Sequence, residues 1–245
     1  RLITCADLRG DLHVHTTASD GTATLMEMAE AARALGHRYL AVCDHSQSLR
    51  IARGLSPEQL REHVAAIRRL DQWPDFRLLA GAEVDILRDG TLDYPDELLA
   101  ELDVVVASVH SHLNLPEAEQ TERLVRAIAN PHVDIIGHPF GRVIGRREPM
   151  ALDFRRILEA CARTGTALEI SASPSRLDLS AEPTRMAKEF GVRLVINTDA
   201  HSVRELELLP YGVAQARRGW IEPQDVVNTM ELPELLAWLG RNGPA

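Results

Sequence analysis

His13 and His15 stand two apart in GDLHVHTTASDG, residues 10–21, within an apolar run. On a β-strand that spacing turns both imidazoles to one face. Asp20 follows five residues later, beside Gly21, which permits a sharp turn. Two imidazoles with a carboxylate just beyond them are the start of a metal site. A strand whose histidines merely alternate would explain this stretch equally well; the rest of the chain decides. Asp44 and His45 end YLAVCDH, Glu83 ends RLLAGAE, His110 ends VVVASVH, His138 ends VDIIGH, and Asp199 and His201 end RLVINTDAH. Six strand ends that each deliver a His, Asp or Glu are hard to obtain by chance.

The candidate ligands are His13, His15, Asp20, His45, Glu83, His110, His138, Asp199 and His201. Zinc or manganese takes about four to six donors, so these imply two or three ions. Glu83 is the sole carboxylate on its strand end and suits a bridging position. Such clusters do phosphoester chemistry because bound metals bring the pKa of a water toward ~7 and hold the attacking and departing oxygens of an in-line displacement.

The elements that must position these groups follow from periodicity. Strands fit near 11–16, 38–44, 77–84, 103–110, 133–138, 166–171 and 193–198. Helices fit near 24–35, 56–72, 95–101, 117–129, 152–164, 183–190 and 203–218, with a helical tail over 223–241. Ser56, Pro57 and Gln59 read as a helix start, as does Asp153; Gly36, Gly165 and Gly191 read as stops. Strict strand–helix alternation predicts a parallel sheet. VVVASV and RLVIN are apolar on both faces, as doubly covered strands are. The expected architecture is α/β, a distorted seven-stranded barrel related to the TIM barrel, with the ligands at its C-terminal rim; an open doubly wound sheet is the alternative.

Composition narrows the class. The 245 residues are 45% hydrophobic and 26% charged, which reads as soluble and globular. With a net charge of −9, any affinity for nucleic acid must come from a local patch, bound metal or another domain. Lys188 is the only lysine. Cys5, Cys43 and Cys161 are odd in number and far apart, so no disulfide framework follows and a cytoplasmic location fits. No apolar run approaches the ~18 residues of a membrane span, and the first residues lack the core of a signal peptide. Residues 1–9 read as a linker from a preceding domain and 10–245 as a single domain; the chain lacks an initiator Met and reads as part of something larger.

The ordered set GDLHVHTTASDG, CDHS, GAEVD, SVHSH, GHP and NTDAH resembles the PHP (polymerase and histidinol phosphatase) superfamily across almost the whole chain. GRVIGRREP, LEISASPSRLDL and NTDAHSVRELELLPYGVAQARRGW resemble in particular the C-terminal PHP domain of bacterial family X DNA polymerases. The resemblance implies a distorted (β/α)7 barrel with a trinuclear centre of manganese or zinc, alone or mixed with iron. It implies that His13, His15, Glu83 and Asp199 hold the first ion. Glu83 would bridge to a second, held also by His110 and His138. Asp20, His45 and His201 would hold the third. Ser171 and Ser173 stand where relatives often carry asparagines. The activity implied is manganese-dependent 3′→5′ exonucleolytic trimming of single-stranded or frayed DNA 3′ ends, in repair and beside polymerase domains, with His13, His15, Glu83 and Asp199 as the catalytic metal-binding core. A small phosphomonoesterase of the histidinol-phosphatase type and a non-catalytic module of a polymerase are the competing readings.

Further residues carry weaker expectations. Arg142 and Arg176 lie on loops leaving the rim and are candidate phosphate contacts. Arg146 and Arg147, followed by Glu148, read as a solvated or salt-bridged loop, and Arg53, in the loop before Ser56, is a weaker candidate contact. His112, two past His110, is a candidate general acid. Asp11 and Asp44 are candidates to orient ligand imidazoles. His37, His63 and His132 read as surface histidines, and Cys43 as a buried barrel thiol.

Overall fold

The computed structural model describes residues 1–240. Seven parallel strands run in the order β1 to β7: Gly10–Val14, Tyr39–Val42, Arg77–Asp85, Val104–Ser108, Ile135–Ile136, Ala167–Ser171 and Leu194–Asn197. β1 comes back to β7 through a parallel bridge between Val14 and Ala200, so the sheet forms a nearly closed barrel. Apart from Arg77, every strand residue is buried, as the doubly apolar runs require.

Helices cover the outside. They are α1 Leu25–Ala34, α2 Pro57–Leu70, α3 Asp96–Leu99, α4 Glu117–Ile128, α5 Phe154–Thr164, α6 Ala181–Glu189, α7 Leu209–Arg218 and α8 Leu232–Leu239. Their starts follow the sequence signals. Ser56 and Gln59 form a reciprocal capping box, and the Asp153 carboxylate accepts from the Arg156 amide. Gly165 ends α5 at φ 79°, a conformation that favours glycine. α5 buries Phe154, Ile157, Leu158 and Cys161, which recur at helical spacing.

Two stretches depart from the expected helices. Residues 203–218 are a 3-10 turn, Val203–Leu208, followed by α7; Pro210 lacks the amide needed for one continuous α-helix and sits in the first turn of α7 instead. The expected tail over 223–241 divides into two short turns and α8, because Met230 is extended and Pro233 opens a new helix. Residue 241 lies outside the described residues. Residues 1–9 pack on the barrel: Ile3 is fully buried and its amide donates to Ile221 O. No described helix is long and apolar enough to cross a membrane.

The inner core carries Leu12, Tyr39, Cys43, Leu79, Val106 and Val195, with Val227, Met230 and Leu235 from the C-terminal segment against it. Register between β1 and β2 slips between Asp11 and Val14. That irregularity lets Leu12 join the inner core while the next residue, His13, also reaches the inner site, which simple alternation forbids.

Side chains staple the β1–β7 seam where the ladder is thin. Asn228 Nδ2 donates to Gly10 O at 2.9 Å and to Ile196 O at 2.6 Å, and its Oδ1 accepts from Ile196 N at 3.0 Å. Asn197 Oδ1 accepts from Leu12 N at 3.0 Å. Asn228→Ala leaves two carbonyls and one amide without these partners in a buried seam. The expected loss is about 3 kcal/mol in urea unfolding; a loss under about 1 kcal/mol would mean the seam closes without Asn228.

Candidate metal centre

The strands deliver their polar ends to one rim, and Glu83 stands at its centre, fully buried. Its two oxygens face different partners. Oε2 lies 3.4 Å from His13 Nε2, 3.5 Å from His15 Nε2 and 2.9 Å from His45 Nδ1. Oε1 lies 3.3 Å from His110 Nε2 and 2.9 Å from His138 Nε2. Asp199 Oδ1 lies 3.0 Å from His15 Nε2 and 3.7 Å from His13 Nε2. Asp20 Oδ1 lies 3.5 Å from His45 Nε2 and 3.2 Å from His201 Nε2.

These donors form three groups close enough to share an ion: His13, His15, Glu83 and Asp199; His45, Glu83 and His110; and His15, Asp20, His45 and His201. The first is the set expected for the first ion. The second contains His45, and His138 joins it only through Glu83 Oε1. The third holds the expected Asp20, His45 and His201, with His15 added.

The residues fit divalent metal. His13 Nε2 and Glu83 Oε2 are buried without a hydrogen-bond partner, a costly arrangement unless a cation sits between them. Ligands about 2.1 Å from one tetrahedral ion lie about 3.4 Å apart, close to the spacings in the first group. Charge balance agrees. Burial works against ionising Glu83, yet His110, His13 and His45 hold its carboxyl well below the usual range. Burial alone would lower His110, but Glu83 and Asp85 raise it to about 10. Burial and His45 push His15 down to about 4, leaving a neutral nitrogen to ligate.

Other side chains aim the ligands. Glu169 on β6 does most: its Oε2 accepts from His13 Nδ1 at 2.7 Å and Asn197 Nδ2 at 3.0 Å, and its Oε1 from His138 N at 3.0 Å. It fixes the His13 tautomer with Nε2 toward the centre and holds the His138 backbone, whose φ of 27° is strained for a residue with a side chain. Asp85 takes His110 Nδ1, and Asp199 O accepts from His201 Nδ1 at 2.8 Å. Sequence reasoning missed Glu169 and Asp85. A lone acid in the apolar strand ALEIS, and an acid two residues past Glu83, were the available signals. Glu169→Gln is expected to weaken metal affinity by about 10–100-fold; unchanged affinity in a competition titration would refute the tautomer argument.

Several expected roles shift. Asp11 and Asp44 touch no ligand imidazole. Asp11 accepts from the amides of His13 and Thr198 and from Thr198 Oγ1. Asp44 accepts from Thr16 and Ser19, amides and hydroxyls alike, and so fixes the loop that carries Asp20. His63 is not a surface histidine: its Nε2 lies 2.9 Å from Asp44 Oδ2. His37 and His132 are half-buried. His112 is exposed, with φ 52°, and does not line the cavity over the centre. Arg142 gives its guanidinium to the carbonyls of Arg176 and Leu177, which braces a loop. Arg176 does line the cavity, 3.8 Å from Asp199 Oδ2, and Arg147, read as a loop residue, lines it too. Cys43 is buried beneath the centre, and burial raises its thiol far above the usual range.

A barrel with this donor set at the C-terminal rim is the architecture of a metal-dependent hydrolase, and comparison with known proteins narrows it to a phosphoesterase. The chain belongs to the PHP domain family, whose model matches residues 11–173. It is 48% identical over 242 residues to the DNA polymerase/3′-5′ exonuclease PolX of Bacillus subtilis, covering 98% of this chain and 42% of that relative's length. It is 30% identical over 206 residues to a probable phosphatase of Caldanaerobacter subterraneus, covering 78% of this chain and 75% of that one. The histidinol phosphate phosphatase of Lactococcus lactis, solved with zinc, L-histidinol and phosphate, shares the fold at TM-score 0.62 and 15% identity, over 87% of this chain and 94% of that one.

Proposed function

We propose that the chain is a manganese-dependent 3′→5′ exonuclease domain that trims single-stranded or frayed DNA 3′ ends, working beside polymerase domains in repair. The observation that carries this reading is the division of Glu83, one oxygen toward His13, His15 and His45 and the other toward His110 and His138. A carboxylate so placed would serve two ions at once, an arrangement suited to phosphoester displacement. Bound divalent ions would supply a water ionised near neutral pH and positive charge for the phosphoryl oxygens.

His13, His15, Glu83 and Asp199 would hold the first ion, Glu83 and His110 with His138 the second, and Asp20, His45 and His201 the third. Glu169 keeps His13 in the ligating tautomer. Arg176, whose buried Nη1 has no hydrogen-bond partner, offers a fixed donor for a phosphate oxygen, and Arg147 adds positive charge. Residues 10–245 act as one domain in this reading.

A 5′-labelled single-stranded oligonucleotide incubated with Mn²⁺, Mg²⁺ or Zn²⁺ tests it. The expected result is a ladder shortening from the 3′ end with Mn²⁺. Hydrolysis of p-nitrophenyl phosphate alone would point instead to a small phosphomonoesterase, which the Caldanaerobacter relative supports. Metal binding with no cleavage of either would favour a non-catalytic module.

A further inference from the structure

The cavity over the metal donors is about 320 Å³ and has two unlike walls. Its lining includes Leu49, Ile51 and Ala52 as one apolar set, and Arg147 and Arg176 as a cationic one. The first wall follows β2. The arginines follow β5 and β6. Two strands separate these positions either way round the barrel, so the walls face each other across its mouth. We propose that the Ile51 wall receives the base and sugar of the terminal nucleotide while the arginine wall takes its phosphate. The inference rests on the phosphoesterase reading above and selects nucleotides over small polar phosphomonoesters.

Ile51 is 93% exposed, the most exposed of the large apolar side chains among the described residues. A single exposed isoleucine is ordinary; one fixed at the mouth of a metal cavity is not. The loop that carries it is held closely. Ser48 N donates to Asp93 Oδ2 at 2.7 Å and Ser48 Oγ to Asp85 Oδ2 at 2.6 Å. Leu55 N donates to His45 O at 2.8 Å, and Gly54 N to Leu49 O at 3.2 Å. Gly54 passes so near Ser46 that a Cβ there would lie 1.8 Å from its carbonyl oxygen. Local ties therefore hold Ile51 in water. Asp85 also takes the His110 ring, so the loop and a metal ligand share one anchor.

The chemistry sorts ligands. A small phosphomonoester satisfies metals and arginines but leaves Ile51 wet. A nucleotide adds a flat apolar face and a sugar, and covering Ile51 makes its exposure productive. Leu49 and Ala52 widen the surface the base would meet.

The full chain is assayed with Mn²⁺ on a labelled oligothymidylate and, by phosphate release, on glycerol 2-phosphate. Ile51→Ser is expected to raise KM for the oligonucleotide about tenfold. The ratio of kcat/KM values, oligonucleotide over glycerol 2-phosphate, should fall by a similar factor, and Ile51→Phe should restore it. Ile144→Ser, a change at an exposed isoleucine that does not line the cavity, keeps the wild-type ratio. A ratio within twofold of wild type for Ile51→Ser, with oligonucleotide cleavage intact, overturns the inference and leaves the exonuclease reading standing. Wild-type protein that leaves the oligonucleotide whole overturns both.

Discussion

Glu83→Gln is expected to lower Mn²⁺-dependent phosphoester hydrolysis by a factor on the order of 10³ or more in kcat. The amide keeps the size of the side chain and one oxygen, so the core around it has little reason to collapse. What it loses is the charge and the second acceptor. Glu83 belongs to two of the three donor groups, and each of its oxygens serves a different set of imidazoles. An NH₂ would turn hydrogens toward one set and repel a cation there. The remaining group, His15, Asp20, His45 and His201, does not contain Glu83 and should keep its ion. Elemental analysis of the dialysed variant therefore has a specific expectation: metal retained, but below the wild-type stoichiometry. Activity within tenfold of wild type, at reduced metal content, would place the chemistry on the third group and remove Glu83 from it.

Eight of the nine candidate ligands were legible because they lie on or just past the end of an apolar strand, and strand ends are countable in a sequence; Asp20, in the turn after β1, had only its nearness to His15 and Gly21 to mark it. The barrel was legible for the same reason: β-branched runs and capping signals alternate without interruption. What the sequence hid was side-chain direction between segments distant in the chain. Arg142 and Arg176 look alike on paper, each a few residues past a strand, yet one is tied to carbonyls and the other faces the cavity. His63 sits on α2 in a polar setting, and nothing local says that Asp44 lies against it. Glu169 looks like one acid in a core strand until β5 and β7 are laid beside it and β1 one strand further on. Asn228 sits in a C-terminal stretch that reads as helix, and its role exists only because β1 and β7 fail to pair fully. Each miss is a long-range contact of one polar side chain, the kind that periodicity does not encode.

Chelation gives the second large effect, on stability rather than rate. Five imidazoles crowd Glu83, and Asp199, Asp20, Glu169 and Asp85 stand among them. Without metal this interior must hold protons on rings that burial would rather keep neutral; the carboxylates outweigh burial and hold His13 well above its ordinary value and His201 at about 9. An ion replaces those protons and satisfies orphaned atoms such as His13 Nε2 and Glu83 Oε2 together. A ligand held at about 1,000 times its Kd stabilises the folded state by about 4 kcal/mol, and for a chain of this size each kcal/mol moves Tm by about 2–4 °C. Stripping metal with a chelator should thus lower Tm by about 10 °C, and Mn²⁺ or Zn²⁺ should restore it. The same titration on Glu83→Gln separates two explanations. If the bridging carboxylate links metal to stability, the variant's shift on chelation is about half that of wild type or less. If the shift is equal in both proteins, the stabilising ion sits with Asp20 and His201, and Glu83 serves the reaction without holding the barrel together.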